Sequence, residues 1–203
     1  PDRSELDLPG GRDALSHVGR LAGQWLRQSG IDPADHYARA KHLEHMLGSS
    51  GLFRYSLKGQ PRDPALDPIE DFLTRHRVGH CEYFATALTL MLRSQGIPAR
   101  MVIGYMTDEY NETGHFFQVR QLHAHTWVEA YLTPDQLPPD LLHGEDLWAW
   151  QRAGGWLQLD PTPADGQRQE TDLLVTPWRR ASLWMDQMWA NYILEMDRPR
   201  QRE

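Results

Sequence analysis

The sequence predicts one α+β domain in which the helices come first along the chain and the strands follow. Up to about residue 95 the apolar residues recur at helical spacing, whereas later segments are short, rich in β-branched and aromatic residues, and separated by Gly/Pro turns. A chain of 203 residues that is 40% hydrophobic is long enough for one compact core. Helices followed by strands indicate that a helix packs on an antiparallel sheet.

Three helices are predicted before residue 80, each with a recognisable start or stop signal. The signals are Gly30 at the end of the first helix, Asp32 as N-cap, Pro33 and Gly48 around the second, and Asp67, Pro68 and Arg75 around the third. Between the second and third helices, the segment GLFRYSLKG is predicted to be extended. These signals divide the first part of the chain into helical segments that can pack on a later core.

A fourth helix is predicted to begin at Cys81, the only cysteine in the chain. Its apolar positions follow the helical period and include Phe84, Ala85, Leu88 and Leu92. Gly96 and Pro98 are expected to stop it. A cysteine in the first turn of a helix is stabilised as the thiolate by the helix dipole, although a lone cysteine can also simply pack in the core.

Four segments after this helix are predicted to be antiparallel strands: ARMVIGYM, FFQVRQ, AHTWVEAYL and GWLQLDPT. Alternation along the third predicts that His123, His125, Trp127, Glu129 and Tyr131 share one face, while Thr126, Val128, Ala130 and Leu132 share the other. In the fourth, Asp160 lies opposite the core face, just before a proline turn. Residues 133 to 155 and the segment after the last strand are predicted to be long loops.

Composition and charge exclude several classes of function. The formal net charge is −7, from 21 basic and 28 acidic residues without a basic block, so nucleic acid is not an expected partner. No run of 18 apolar residues and no signal-peptide pattern occurs, so we expect no membrane span in this sequence. The single cysteine excludes an internal disulfide.

The C-terminal segment SLWMDQMWANYILEMDRPRQRE has an aromatic stripe at helical spacing. The stripe consists of Trp184, Met188, Trp189, Tyr192, Ile193 and Met196. It either packs on the domain or lies at a membrane interface, where the following arginines would suit a headgroup region. We therefore expect a helical lead-in over residues 1–60, a central core over 61–165, and a C-terminal extension over 166–203.

A cysteine at a helix start, a histidine on a strand and an acid on the next strand form the pattern of a cysteine acyl-transfer triad. A metal hydrolase is an alternative because histidines are many, but no H-E-x-x-H motif or cysteine pair is present. Those histidines include His76, His80, His115, His123, His125 and His143. A non-catalytic peptide-binding module is a further alternative.

The segments RVGHCEYFATALTLMLRSQGIPARMVIGY, HAHTWVEAYL and GWLQLDPTP resemble the transglutaminase-like superfamily, over about residues 70 to 163. The resemblance implies a papain-like fold, with Cys81 as the nucleophile, His125 as the general base and Asp160 orienting the imidazole. His123 is then a neighbour of the base. No cofactor and no metal are implied.

The same resemblance implies transfer of a glutamine acyl group through a thioester to a primary amine, on protein or peptide substrates. Hydrolysis remains open, as a peptidase or deamidase acting on envelope protein or peptidoglycan peptide. The helical lead-in and the aromatic tail look like those of bacterial membrane-anchored transglutaminase-like proteins, which implies a periplasmic domain of an inner-membrane protein. The oligomeric state stays open.

Supporting roles are less closely defined by the sequence. The backbone N–H of Cys81 is one expected oxyanion donor. Related folds often place a polar side chain about six residues before the cysteine, which is Arg75 here. Its neighbours His76, Arg77 and His80 are equally open candidates. Trp127 either shields the thioester from water or only packs on the sheet.

Overall fold

The structure is a computed structural model that describes residues 3–6, 16–59, 61–112, 114–138 and 147–163. Its helices are α1 (Ser16–Ser29), α2 (His36–Gly48), α3 (Pro68–Thr74), α4 (Cys81–Ser94) and α5 (Leu147–Ala153). Its strands are β1 (Arg54–Tyr55), β2 (Val78–Gly79), β3 (Ala99–Tyr105), β4 (Tyr110–Asn111), β5 (Phe116–Phe117), β6 (Ala124–Leu132) and β7 (Gly155–Leu159). Three short 3-10 turns lie at Arg3–Leu6, Gln121–His123 and Pro134–Gln136. The combination is α+β, as predicted.

The chain divides into two compact units. The first contains residues 1–103 and 125–167, and the second contains 104–124 and 168–203. Of the second unit, the structure describes only 104–112 and 114–124. The predicted layout of lead-in, core and extension stays a prediction, because residues 164–203, including the aromatic stripe, lie outside the described residues.

The predicted helices form, with one correction at the start of α2. The sequence predicted Asp32 as the N-cap, but Asp35 is the cap and accepts a hydrogen bond from the N–H of Ala38 at 2.8 Å. Asp32 instead closes a separate turn, since its carboxylate accepts from the N–H of Ala34 at 2.9 Å. Two aspartates in a row of turn residues offer two caps, and the helix uses the second.

The core of the first unit surrounds α4, which is buried on nearly all sides after its first turn. Phe72 and Phe84 pack edge to face, with ring centroids 5.0 Å apart. Phe53 lies 5.2 Å from Phe72, and Trp25 of α1 lies 6.3 Å from Phe53. These aromatic contacts tie the lead-in helices to α4 and fix the place where α4 begins.

A three-stranded sheet in the order β3-β6-β7 has β6 at its centre. β6 and β7 are antiparallel, with Val128 opposite Leu159 and Ala130 opposite Leu157. Val128, Ala130 and Leu132, which strand alternation placed on one face of β6, are fully buried. The register therefore brings the start of β6 and the end of β7 to the same edge of the sheet.

Two sequence predictions about the strands need correction, and the extended segment predicted at GLFRYSLKG is present. FFQVRQ contributes only β5, which pairs with β4 in a separate two-stranded ribbon of the second unit. His123 lies in a 3-10 turn before β6, so it is not part of the strand that carries His125. GLFRYSLKG forms β1, which pairs in parallel with β2 immediately before α4.

The predicted loop over residues 133–155 contains regular structure where it is described. A 3-10 turn at Pro134–Gln136 follows β6, and α5 leads directly into β7. Residues 139–146 lie outside the described part. Among the described residues, none of the helices has the length and apolar character needed to cross a bilayer.

Candidate active site

Cys81 is the first residue of α4, and His80 is the N-cap. The His80 side chain makes no capping hydrogen bond, so no side chain of the cap covers the N–H groups of the first turn. Gly79 allows the turn to approach the helix closely, because a Cβ there would lie 2.9 Å from the Cβ of Tyr83. The thiol therefore stands at the positive end of the helix dipole.

His125 and Asp160 meet at the edge of the sheet that the register predicts. His125 is 1% exposed, and its Nε2 lies 2.7 Å from Oδ2 of Asp160. The other carboxylate oxygen, Oδ1, accepts a hydrogen bond from the N–H of Thr162 at 3.0 Å. Continuing the register by one pair places Asp160 opposite Trp127, hence diagonal to His125.

His125 and Thr126 lie close enough to Cys81 to act on the pKa of its thiol. Burial alone would raise the pKa of the thiol, but the interactions with these two residues outweigh it and lower that pKa. Burial would likewise lower the pKa of His125, yet Asp160 and Cys81 raise it to about 9.

The third group of this network is ionised as well. Burial would raise the pKa of Asp160, but the hydrogen bond and charge of His125, together with the Thr162 N–H, lower it. A thiol of lowered pKa beside an imidazole of raised pKa, which is itself bound to a carboxylate, places a nucleophile next to a proton donor. The structure thus joins His125 to Asp160 by a hydrogen bond and places Cys81 where His125 acts on the pKa of its thiol.

Thr126 is a contact that the sequence did not point to. It lies on the core face of β6 and is 2% exposed, and its hydroxyl and backbone N–H both lower the pKa of the Cys81 thiol. The available signal was its polarity, since the other core-facing residues of this strand are apolar. Strand alternation alone cannot show that α4 begins opposite this residue.

Trp127 lies against the imidazole. Its ring is nearly parallel to that of His125, at 20° and with centroids 6.3 Å apart. Its indole N–H is buried and has no hydrogen-bond partner among the described residues. The stacking covers one face of His125, so the predicted shielding role is compatible with the geometry and stays a prediction.

Arg75 and His76 make their hydrogen bonds with carboxylates near α3. Arg75 is ion-paired with Asp63 and has a 59% exposed side chain. The Nδ1 of His76 lies 2.9 Å from Oδ1 of Asp71. These bonds join neither side chain to Cys81, and an oxyanion role for either one stays a prediction.

Arg62 holds the turn that precedes Cys81, and no sequence pattern singled out this arginine. Its guanidinium donates to the carbonyl oxygens of His76 at 2.8 Å and Val78 at 2.6 Å, and lies 4.3 Å from the ring centre of Tyr83. The fully buried carboxylate of Asp71 lies 3.5 Å away. No local pattern links an arginine in a loop to a helix start that follows α3.

Asp71 is ionised at neutral pH in this setting. Burial would raise the pKa of its carboxyl, but hydrogen bonds and charges from His76 and Arg62 lower it. A buried carboxylate held by a guanidinium and an imidazole is costly to disturb, because removal of the guanidinium leaves charge without compensation. This cluster therefore fixes the backbone between α3 and α4.

His123 has other partners than the residues around Cys81. Its Nδ1 accepts a hydrogen bond from the N–H of Arg120 at 3.1 Å, and its Nε2 lies 3.4 Å from the carboxylate of Glu109. Within the described ranges no group of three or more His, Cys, Asp or Glu could hold a metal ion. His143 lies outside those ranges.

The comparisons with known proteins agree with this geometry. A family model described as "Transglutaminase-like superfamily" matches residues 27–161. A protein-glutamine gamma-glutamyltransferase of Pseudomonas aeruginosa is 38% identical over 110 residues, covering 54% of this chain and 13% of that protein. The uncharacterized protein YebA of Bacillus subtilis is 33% identical over 132 residues, covering 62% of this chain and 15% of that protein.

Among solved structures, the crystal structure of the periplasmic domain of TgpA from Pseudomonas aeruginosa bound to ethylmercury is similar, with a TM-score of 0.57 and 34% identity. The match covers 79% of this chain and 49% of that one. The chain thus spans about half of that domain and about one seventh of the curated relatives.

Proposed function

Because the chain belongs to the transglutaminase-like superfamily, we propose that it catalyses cysteine-dependent acyl transfer from a protein glutamine to a primary amine. In this proposal Cys81 is the nucleophile, His125 is the general acid and base, and Asp160 orients the imidazole. One observation carries it: the His125–Asp160 hydrogen bond of 2.7 Å lies beside a thiol of lowered pKa at a helix N-terminus.

The first half-reaction forms a thioester. The Cys81 thiolate attacks the side-chain carboxamide carbon of glutamine, and the carbonyl electron pair moves to oxygen. The C–N bond then breaks, and the imidazolium of His125 gives its proton to the departing nitrogen, which leaves as ammonia. The Asp160 carboxylate stabilises the imidazolium before this transfer and orients the ring.

The oxyanion of the tetrahedral intermediate needs hydrogen-bond donors. The N–H of Cys81 at the start of α4 is suited to this, since the His80 side chain does not cap the helix. The indole N–H of Trp127, buried and unpartnered next to His125, is a candidate second donor beside Arg75 and His76. A substrate carbonyl would give that N–H the partner it lacks.

The second half-reaction determines the product. A primary amine attacks the thioester while His125 accepts its proton, the thiolate leaves, and an isopeptide bond results. Water in place of the amine would give glutamate, which is deamidation. The relative from Pseudomonas aeruginosa is named for the transfer reaction, which favours the amine as the acceptor here.

The proposed place of action is the periplasm, with the domain tethered to the inner membrane in the full-length protein. The similar structure from Pseudomonas aeruginosa is described as a periplasmic domain, and this supports the location. Proteins of the cell envelope that carry accessible glutamine and lysine side chains are the proposed substrates.

Incorporation of a fluorescent primary amine into a glutamine-rich protein, with ammonia release followed in parallel, tests the reaction. We expect labelling by the wild-type chain and none by Cys81→Ala. Ammonia without labelling would assign deamidation instead. Neither product, together with an ordinary alkylation rate of Cys81, would contradict the proposed triad.

A further inference from the structure

Helix α2 of the N-terminal lead-in contacts the residue that supports His125. The Oε1 of Glu44 accepts a hydrogen bond from the backbone N–H of Asp160 at 2.7 Å. The Glu44 side chain is only 16% exposed. Asp160 lies one residue beyond the last β6–β7 pair. Its N–H donates to Glu44 rather than to the neighbouring strand.

A second contact from α2 holds the next peptide. Gly48 lies one turn after Glu44 and therefore on the same face of the helix. A Cβ at Gly48 would lie 2.9 Å from the carbonyl oxygen of the buried Pro161, so the helix backbone packs directly on that peptide. Two residues of one helix face thus hold the Asp160–Pro161 segment.

Asp160 is consequently held at three atoms. His125 binds Oδ2, the N–H of Thr162 binds Oδ1, and Glu44 binds the backbone N–H. The carboxylate follows its own backbone, because a short aspartate side chain has only two torsions with which to compensate for a shift. A misplacement of a catalytic group by about 1 Å can cost about 100-fold in rate.

We propose that Glu44 is a positioning residue of this active site, which aligns the Asp160 carboxylate with His125 by holding the Asp160 N–H. The inference rests on the proposed function, since it assigns Glu44 a part in the same triad. The lead-in helices then contribute to catalysis as well as to the core.

Lys41 provides a matched control for this proposal. It lies on α2, is 45% exposed, and is ion-paired with the other carboxylate oxygen of Glu44. Lys41→Ala removes the charge pair and leaves the Glu44–Asp160 hydrogen bond in place. Glu44→Gln removes the charge but keeps an oxygen acceptor, whereas Glu44→Ala removes the acceptor, and Glu44→Asp shortens its reach by one carbon.

The test measures the rate of Cys81 alkylation by iodoacetamide as a function of pH, together with thermal unfolding of each variant. This readout needs no protein substrate. We expect Glu44→Ala and Glu44→Asp to alkylate about tenfold more slowly at pH 7, with the pH midpoint shifted upward. Glu44→Gln and Lys41→Ala are expected to stay within about twofold of wild type.

The outcomes separate this inference from the function on which it rests. An ordinary thiol midpoint in the wild-type chain would contradict the proposed function. If the wild-type chain has a lowered alkylation midpoint, Glu44→Ala and Glu44→Asp could both retain it, with only their unfolding temperature reduced. That result would overturn the positioning role. Equal losses in Glu44→Gln and Glu44→Ala would also overturn it, because charge rather than the hydrogen bond would then matter.

Discussion

Cys81 stands at a helix N-terminus, whereas His125 and Asp160 stand at the ends of neighbouring strands, and the two places are supported differently. The turn before Cys81 is paired with β1 and held by the Arg62 guanidinium, which lies against the buried carboxylate of Asp71. The turn is thus supported by the charged pair of Arg62 and Asp71, which lies against Tyr83 of α4.

The sheet side relies on strand register and on backbone hydrogen bonds. Pairing of β6 with β7 sets the distance between His125 and Asp160. Glu44 of α2 adds a hydrogen bond to the backbone N–H of Asp160. We therefore expect substitutions on the two sides to have different effects. Changes at the sheet side should alter the pKa of His125, while changes at the helix side should alter the stability of the fold and the position of the Cys81 sulfur.

The largest effect is expected from His125→Ala. Without the imidazole the thiol loses its proton donor and its counter-charge, so acyl transfer should fall by about 10⁴-fold or more. The alkylation midpoint of Cys81 should rise to or above the ordinary thiol value of about 8.5. A His123→Ala variant is the matched control, and an equal loss there would contradict the assignment of His125.

Asp160→Asn should come next and should act through the pKa of His125. That pKa is raised to about 9, so the ion pair stabilises the fold fully below the unfolded histidine value of about 6.5 and is lost as pH rises through about 9. The variant should lose about 100-fold in kcat, with its alkaline limb moved towards neutral pH.

Thermal unfolding checks the sign of this linkage. The difference in unfolding temperature between wild type and Asp160→Asn should be larger at pH 6 than at pH 10. A difference independent of pH would mean that Asp160 acts by packing alone.

Arg62→Met should show the other kind of damage. It leaves the fully buried Asp71 with one cationic partner fewer and releases two carbonyls before Cys81, so we expect a loss of about 3 kcal/mol in unfolding free energy. Denaturant unfolding measures this loss, and Arg100→Met on strand β3 is the control.

The control also involves an arginine with a carboxylate and an aromatic partner, since Arg100 is paired with Glu129 at 2.8 Å and stacks on Trp156. It is more exposed, however, and surface pairs contribute about 1 kcal/mol or less. If Arg62→Met costs no more than Arg100→Met, the cluster does not support the turn.

The smallest effect is expected from Thr126→Val. The change keeps the side-chain shape and the backbone N–H but removes the hydroxyl that faces the thiol, so the alkylation midpoint of Cys81 should rise by about half a pH unit. Thr126→Ser should restore it. A midpoint unchanged in Thr126→Val would show that the backbone N–H alone provides this contact.

Those features that a local sequence pattern encodes could be predicted from the sequence. Helical spacing after Cys81 and strand alternation around His125 are local properties, so the fold class and the shared face of Val128, Ala130 and Leu132 followed from them. The roles of Cys81, His125 and Asp160 came from the resemblance to the transglutaminase-like superfamily and stay a prediction. The predicted N-cap of α2 was wrong because two aspartates three positions apart, Asp32 and Asp35, offered competing caps.

The supporting residues could not be predicted in the same way. Arg62, Thr126 and Glu44 act across tertiary contacts, and each sits in a segment whose local pattern has an ordinary explanation. Glu44 in particular reads as an exposed helix position paired with Lys41, and only the packing of α2 against the end of β7 reveals its second partner.

The hydrogen bond between Glu44 and Asp160 joins residues 116 positions apart. A chain emerges from the ribosome or a translocation channel with its N-terminus first, so α2 and the Cys81 helix are available well before Asp160. During that interval the thiol has neither the aligned imidazole nor the carboxylate behind it. In the proposed mechanism, Cys81 is therefore not activated before β7 pairs with β6 and Glu44 binds the Asp160 N–H.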